Sequence, residues 1–232
     1  MLKPVLGSQI QLGHPLARGL VGCWLMNEGG GNIVNDLSGN GNAGTFVGDT
    51  HFVAGKFGSA LSFDGDRDDV DCGKNLPAEM HTGTVAAWVR GYRHQGGIAS
   101  NGRYSSGTNG FTLATKDEAV ILKIGDAASS ISVIGMGRLS YPDVWNFVVA
   151  VWDGEYMNIY VNGVIDTIPV AQTLDPRMNY YVFRIGSNGY GSSSVYSWND
   201  LIDNVSLYNR ALSAQEIAQL YINPFGMFEE EM

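Results

Sequence analysis

The chain has 232 residues, of which 44% are hydrophobic, 11% aromatic and only 16% charged. This length allows one large domain with a sizeable core, and 31 glycines favour many short strands joined by tight turns over helices. The net charge of −9, from 14 basic and 23 acidic residues without a basic cluster, repels polyanions, so DNA and RNA are not expected partners.

The N-terminal segment carries neither an export signal nor a membrane signal. Residues 1–10 lack the seven-residue apolar core that a secretory signal peptide needs, and no run of eighteen apolar residues occurs in the chain. We therefore expect no export by a signal peptide and no membrane insertion. Residues 1–18, which contain two prolines, are predicted to form an N-terminal arm.

The first predicted strand covers residues 20–26 and contains Cys23, one of two cysteines. The other, Cys72, is far away in sequence, and neither belongs to a CxxC motif or has a histidine at metal-binding spacing, so zinc is not indicated. Cys23 lies in an apolar run, as expected for a small buried side chain. We predict free thiols rather than a disulfide.

A glycine-rich loop over residues 35–44 follows, with oxygen-bearing side chains at alternate positions. Asp36, Ser38 and Asn40 occupy relative positions one, three and five and precede Gly41, as in the first half of a calcium loop. The twelfth position is Val47 instead of a bidentate glutamate, which excludes an EF-hand. Two interpretations stay open: a calcium loop completed from elsewhere in the chain, or an ordinary Asx turn. Phosphate binding is disfavoured because the loop has no Lys or Arg.

Short apolar runs recur along the rest of the chain at the spacing of a β-sandwich or barrel. The runs cover residues 60–63, 85–89, 110–113, 120–124, 131–134, 145–152 and 155–161. Asp153-Gly154 between the last two runs predicts a tight hairpin, and Asn162-Gly163 predicts a second one, with a further strand from Val164.

One helix is predicted near the C-terminus. Ser213 and Glu216 have the spacing of a capping box, Leu212 can pack against Ile217, and Pro224 ends the helical pattern. Residues 223–232 are predicted to be a tail, on which Phe225, Met227 and Phe228 are exposed apolar side chains that invite a partner surface.

Taken in order, several stretches resemble the laminin-G-like jelly rolls of the concanavalin A-like lectin and glucanase superfamily. The resemblance runs over residues 19–222 and rests on residues 19–24, 27–29, 36–44, 58–65, 145–148, 160–163 and 201–213. It implies an all-β fold, a two-sheet antiparallel β-sandwich with one short C-terminal helix. It also implies that the first and penultimate strands lie together and are often bridged by one calcium ion.

The resemblance indicates which residue could be the calcium ligand that the glycine-rich loop lacks. Asp203 begins a strand whose alternation places it with Val205 and Leu207, so its carboxylate could reach the loop. The implied structural Ca²⁺ site comprises Asp36, Ser38, Asn40, Asn42 and Asp203. The alternative is that Asp203 only caps a hairpin end.

The superfamily includes glucanases, which need two carboxylates about 5 Å apart. No Glu-x-Asp-x-x-Glu motif occurs here, and only the aspartate run over residues 64–71 could supply such a pair. We interpret that run as a solvated turn and strand edge. No Gly-x-Ser-x-Gly motif occurs either, and the four histidines stand alone, so we predict that the protein is not an enzyme.

Two loops have the composition of a glycan or protein contact. Tyr190, Tyr196 and Trp198 lie among serines and asparagines, and Arg103 with Tyr104 forms a weaker candidate. The alternative for Trp198 is a place in the core.

Residues 14–20 and 220–228 resemble the stand-alone laminin-G-like proteins of tailed bacteriophages. This resemblance implies a non-catalytic virion component in a capsid-decoration, tail or host-attachment role. Such a protein would be made in the host cytoplasm, would be extracellular after release, and would bind other virion proteins and itself. The alternative is a calcium-dependent carbohydrate-binding module that recognises cell-surface or extracellular polysaccharide.

Overall fold

The computed structural model describes residues 1–91, 96–102, 109–126, 128–139, 143–178, 180–188 and 197–228. In these residues two antiparallel sheets face each other and one α-helix lies near the C-terminus, which confirms the predicted all-β sandwich. Within these residues no helix is long and apolar enough to span a bilayer.

Sheet I contains nine strands in the described part of the chain, in the order β14-β13-β12-β7-β17-β5-β4, with β1 also paired to β17 and β15 to β13. Its strands are β1 (Leu20–Trp24), β4 (His51–Ala54), β5 (Ser59–Asp64), β7 (Gly83–Val89), β12 (Asn146–Trp152), β13 (Tyr156–Val161), β14 (Val164–Ile165), β15 (Val170–Ala171) and β17 (Asn199–Tyr208).

Sheet II contains eight strands over the same described ranges, in the order β11-β10-β9-β8-β16-β6-β3-β2. Its strands are β2 (Ile33–Val34), β3 (Gly44–Val47), β6 (Asp69–Asp71), β8 (Gly97–Ser100), β9 (Asn109–Lys116), β10 (Ala119–Asp126), β11 (Ser130–Ile134) and β16 (Arg184–Ile185).

The main core lies between the two sheets and follows from the alternation of apolar residues along the strands. Trp24 stacks on Phe183 with ring centroids 5.0 Å apart, and Phe111 packs on Trp152 at 5.3 Å. Because an aromatic side chain buries a large apolar area, these pairs supply much of the contact between the sheets.

A second core lies on the outer face of sheet I, under helix α1 (Ala214–Ile222). The C-terminal tail completes it, since Phe225, Met227 and Phe228 are only 8%, 1% and 4% exposed. The prediction that these three side chains form an exposed apolar surface was therefore wrong. The outer face of sheet I presents apolar side chains, and the apolar residues of the tail pack against them, so that both sets are buried.

The predicted turns and helix are present with one shift of register. Asn162 and Gly163 both have positive φ, 51° and 81°, as a primed hairpin turn requires. In the other hairpin the Asp153 N–H bonds to the Tyr156 carbonyl, so the turn residues are Gly154 and Glu155 rather than Asp153 and Gly154. The capping box of Ser213 and Glu216 forms as predicted.

Both cysteines are buried free thiols, in agreement with the prediction. Burial raises the pKa of Cys23 to about 12 and that of Cys72 well above its usual value. Because the thiolate is the reactive form, neither side chain is suited to nucleophilic or metal chemistry.

Candidate functional site

The glycine-rich loop is organised around the carboxylate of Asp36. Its Oδ1 atom accepts hydrogen bonds from the backbone N–H groups of Cys23 and Ser38, and its Oδ2 atom accepts one from Asn42, each at 2.9 Å. Asp36 therefore closes an Asx turn and ties the loop to strand β1.

The other predicted calcium ligands in the loop mostly act as donors to β1. Ser38 Oγ donates to the Val21 carbonyl at 2.9 Å, Asn40 Nδ2 to the Leu20 carbonyl at 3.1 Å, and Asn42 Nδ2 to the Val21 carbonyl at 3.0 Å. An amide N–H group does not coordinate a cation, whereas the buried Asn42 Oδ1 atom has no hydrogen-bond partner in the described ranges. Among these side chains, Asn42 is the one with a buried amide oxygen left unpaired.

Asp203 is held by the N-terminal arm instead of by the loop. Its Oδ1 atom forms an ion pair with the ammonium of Lys3, and its Oδ2 atom accepts a hydrogen bond from the Lys56 N–H at 3.2 Å. Both side chains are buried, with exposures of 4% for Lys3 and 0% for Asp203. Burial lowers the pKa of Lys3 and raises that of Asp203, and the charge of each side chain opposes the shift of the other.

The predicted ligands therefore do not come together as a calcium site. Asp36 binds the N–H of Cys23 inside β1, whereas the Lys3 ammonium on Asp203 reaches the Met26 carbonyl beyond the end of that strand. Among the residues described, no group of three or more His, Cys, Asp or Glu side chains could hold a metal ion. The two carboxylates are thus bonded to different parts of the protein, Asp36 to backbone N–H groups and Asp203 to Lys3 and the Lys56 N–H.

Trp198 occupies the core. Its side chain is fully buried, and its Nε1 atom donates to the Arg90 carbonyl at 3.2 Å. The core alternative therefore holds for this residue, and its ring is not available for stacking on a sugar. The other predicted contact residues, Arg103, Tyr104, Tyr190 and Tyr196, lie outside the described residues.

The structure nevertheless brings together the bases of the two predicted contact loops. One loop leaves sheet II after β8, which ends at Ser100, and the other leaves after β16, which pairs with β8. Ser100 Oγ donates to the Ser187 carbonyl at 2.9 Å, so a hydrogen bond joins the two bases.

Each loop base is itself closed by hydrogen bonds. Asn101 Oδ1 accepts from the Phe111 N–H at 2.9 Å at the first base, and an isolated antiparallel bridge joins Ser187 to Ser197 at the second. Asn109 Oδ1 and Asn188 Oδ1 lie at these bases and are buried with no hydrogen-bond partner among the residues that the structure describes. Because an unpaired buried amide oxygen is costly, these two atoms mark the rim of sheet II as a place where a polar ligand or water is needed.

A row of polar side chains crosses the outer face of sheet II from this rim. Residues that oppose one another in antiparallel strands share a face, and the strand register aligns one residue from each of seven neighbouring strands. The row comprises Ser132, Lys123, Thr112, Ser100, Arg184, Asp71 and Thr45. Its two ends are exposed, and its centre at Ser100 and Thr112 is buried. Within the described part of the chain, the Thr112 hydroxyl has no hydrogen-bond partner.

Arg184 in this row contacts the carboxylates that the aspartate run over residues 64–71 could offer as a catalytic pair. Asp69 and Asp71 lie at alternate positions of β6 on the same face, but Arg184 Nη1 bonds to Asp69 at 2.5 Å and Nη2 to Asp71 at 3.2 Å. Burial raises the pKa of Asp69 to about 6, against the opposing charge of Arg184. The guanidinium occupies both carboxylates, so they are not placed as the acid and nucleophile of a retaining glycosidase.

Sequence reasoning did not identify Arg184, Thr112 or Lys123, because each is an isolated polar residue in or beside a short apolar run. The alternation along β9 and β10 assigns Thr112 and Lys123 to the outward face. Only the pairing of distant strands shows that they lie in one row with Arg184.

Comparisons with solved structures show the same fold. Domain 4 of AbnA, an extracellular GH43 arabinanase from Geobacillus stearothermophilus solved with arabinotriose, is 18% identical with a TM-score of 0.70, covering 87% of this chain and 98% of that one. The binding domain of botulinum neurotoxin serotype G is 17% identical with a TM-score of 0.65, covering 88% and 50%. Trypanosoma rangeli sialidase with sialic acid is 17% identical with a TM-score of 0.63, covering 91% and 34%.

The chain thus spans nearly all of the arabinanase domain, half of the toxin binding domain and about a third of the sialidase chain. No curated protein sequence matches it. A laminin-G-type family model, described as the concanavalin A-like lectin/glucanases superfamily, matches residues 64–218, which is more than half of the chain. Together with the two-sheet architecture, this match shows that the chain belongs to the concanavalin A-like lectin/glucanases superfamily.

Proposed function

We propose that the protein is a non-catalytic carbohydrate-binding domain whose ligand site is the rim of sheet II. The observation that carries this proposal is the junction of two loop bases at Ser100 and Ser187, with the unpaired amide oxygens of Asn109 and Asn188 beside it. Lectin sites combine such fixed polar groups with aromatic rings on loops, and both loops that start here contain tyrosine.

The absence of catalysis is supported by Arg184, which bonds to both Asp69 and Asp71. Two of the similar structures also point to binding, since one is a toxin binding domain and another is an arabinanase domain solved with arabinotriose.

A polysaccharide screen with matched variants tests the proposed site. We expect Tyr190→Ala and Tyr196→Ala each to weaken binding by roughly tenfold, or about 1.4 kcal/mol, because each removes an aromatic ring on which a sugar face can pack. The control is Tyr156→Ala, since Tyr156 is 45% exposed on strand β13 of sheet I. Binding that persists in both loop variants, or hydrolysis of the polysaccharide, would contradict the proposal.

We further propose, as a second function, that the domain works in a bacteriophage virion as a decoration, tail or attachment protein bound to other virion proteins or to itself. The observation that favours an assembly is the arm, where Leu2, Leu6 and Leu12 are 83%, 60% and 84% exposed. Three exposed leucines within one arm of twelve residues favour contact with another protein.

Mass spectrometry of purified phage particles from cells that express the protein tests the virion role, which requires the chain to be present in particles. Light scattering tests the assembly, which we expect to be an oligomer that dissociates in a Leu2→Ser/Leu6→Ser/Leu12→Ser variant. A monomer that is absent from particles would refute this second function and leave the glycan proposal standing.

A further inference from the structure

The N-terminal arm places the Lys3 ammonium in a pocket where three oxygen atoms accept its hydrogen bonds. The Lys3 ammonium donates to the Met26 carbonyl at 3.3 Å, to the Ser59 carbonyl and to the Asp203 carboxylate. An ammonium group has three N–H donors, and here each one has an acceptor.

The pocket joins three separate parts of sheet I. Met26 follows β1, Ser59 begins β5, and Asp203 lies in β17, which pairs with both strands. Ser59 Oγ donates to the Met26 carbonyl, and Asp203 Oδ2 accepts the Lys56 N–H, so the oxygens are fixed by the fold. Glu28 adds negative charge nearby.

The arm is fastened on both sides of Lys3 and at its far end. Asn27 Nδ2 donates to the Pro4 carbonyl at 2.9 Å, and the Lys3 N–H bonds to the Phe57 carbonyl at 3.4 Å. Farther along, the Gln11 N–H bonds to the Met227 carbonyl at 2.8 Å. The arm therefore crosses sheet I as a strap that links the N-terminus to the C-terminal tail.

A carboxylate beside backbone carbonyls is the ligand set of a hard cation, and in this chain a side chain already fills that position. From these contacts we propose that Lys3 is the built-in cation of this pocket, so that the arm clasps β1, β5 and β17 together without a metal ion. The strap takes the place of the ion that the superfamily resemblance implies between the first and penultimate strands.

A double-mutant cycle on Lys3 and Asp203 tests the proposal. Lys3→Met keeps the aliphatic stem but leaves a buried carboxylate without its counter-charge, so we expect the melting temperature to fall by roughly 10 °C. Lys3→Met/Asp203→Asn removes both charges and is expected to be more stable than Lys3→Met. The control is Lys74→Met, because Lys74 is exposed.

The wild-type melting temperature is expected to be the same with and without a calcium chelator. A chelator-dependent fall, a Lys3→Met variant as stable as Lys74→Met, or effects of the two single substitutions that simply add would each overturn the proposal. If Lys3→Met does not fold, a folded double variant supports the clasp and an unfolded one contradicts it.

Amine labelling with an N-hydroxysuccinimide ester gives a second readout on the intact wild-type chain. The proposal expects Lys74 to be modified rapidly and Lys3 to be protected until the protein unfolds, as followed by mass spectrometry of peptides. Labelling of Lys3 at the rate of Lys74 would show that the arm does not hold its ammonium in the pocket.

Discussion

At the scale of single residues, Glu216 ties the start of helix α1 to the segment before it. Ser213 and Glu216 form the predicted capping box, and Glu216 also bonds to Arg210, with Arg210 Nη2 and Glu216 Oε1 2.7 Å apart. The bond from Arg210, joined by those from Ser213, lowers the pKa of Glu216 to about 2. This shift makes the stability of the helix start depend on pH.

We expect Glu216→Gln to lower the free energy of unfolding at pH 7 by about 1 kcal/mol, because glutamine keeps the box but loses the ion pair. The folded-state pKa of Glu216 lies below its ordinary value of 4.5, so its contribution is complete above pH 4.5 and disappears as the pH falls through about 2. Urea denaturation of both proteins between pH 7 and pH 2 measures this difference. A gap between them that stays constant down to pH 2 would contradict the assignment.

At the scale of elements, the glycine-rich loop shows how one sequence pattern serves two structures. Alternating Asp36, Ser38 and Asn40 fit a calcium loop, but in the fold these side chains bond to the backbone of the loop and of β1. A carboxylate at the start of such a turn can bind a cation or accept from backbone N–H groups, and Ser and Asn side chains can bind a cation or donate to backbone carbonyls. The neighbouring strand, which the local pattern does not contain, decides between the two.

Two substitutions at Asp36 distinguish the contributions of its two carboxylate oxygen atoms to stability. We expect Asp36→Asn to cost about 1 kcal/mol, since the amide oxygen still accepts from Cys23 and Ser38 and only the bond to Asn42 is lost. Asp36→Ala leaves three backbone N–H groups without an acceptor and is expected to cost about 3 kcal/mol. Equilibrium denaturation gives both values, with Asn32→Ala as the control, because Asn32 is exposed beside the same loop and bonds to the Phe46 N–H through its backbone carbonyl. Equal costs for the two Asp36 variants would contradict the role of the carboxylate.

At the scale of the whole molecule, the two sheets differ in what covers their outer faces. Sheet I is covered by helix α1, the tail and part of the arm, and Tyr221 of the helix stacks on Trp88 with ring centroids 5.6 Å apart. Sheet II carries the polar row and the junction of the two loop bases on its outer side. The outer face of sheet I is thus covered by apolar packing, whereas that of sheet II carries polar side chains, of which the central pair, Ser100 and Thr112, is buried.

The sequence by itself determined the class of fold, the core strands, the two hairpins and the capped helix, because alternation, turn residues and capping act between residues that are near in the chain. It did not determine what Asp203 bonds to, where Phe225 and Phe228 lie, or that the bases of two distant loops share the Ser100 to Ser187 hydrogen bond. Those contacts join residues that are far apart in the chain, such as Lys3 with Asp203 and Ser100 with Ser187. They therefore form only when distant strands pair in the folded protein. A charged or apolar side chain is stabilised by whichever partner the completed fold brings to it, and no local pattern contains that partner.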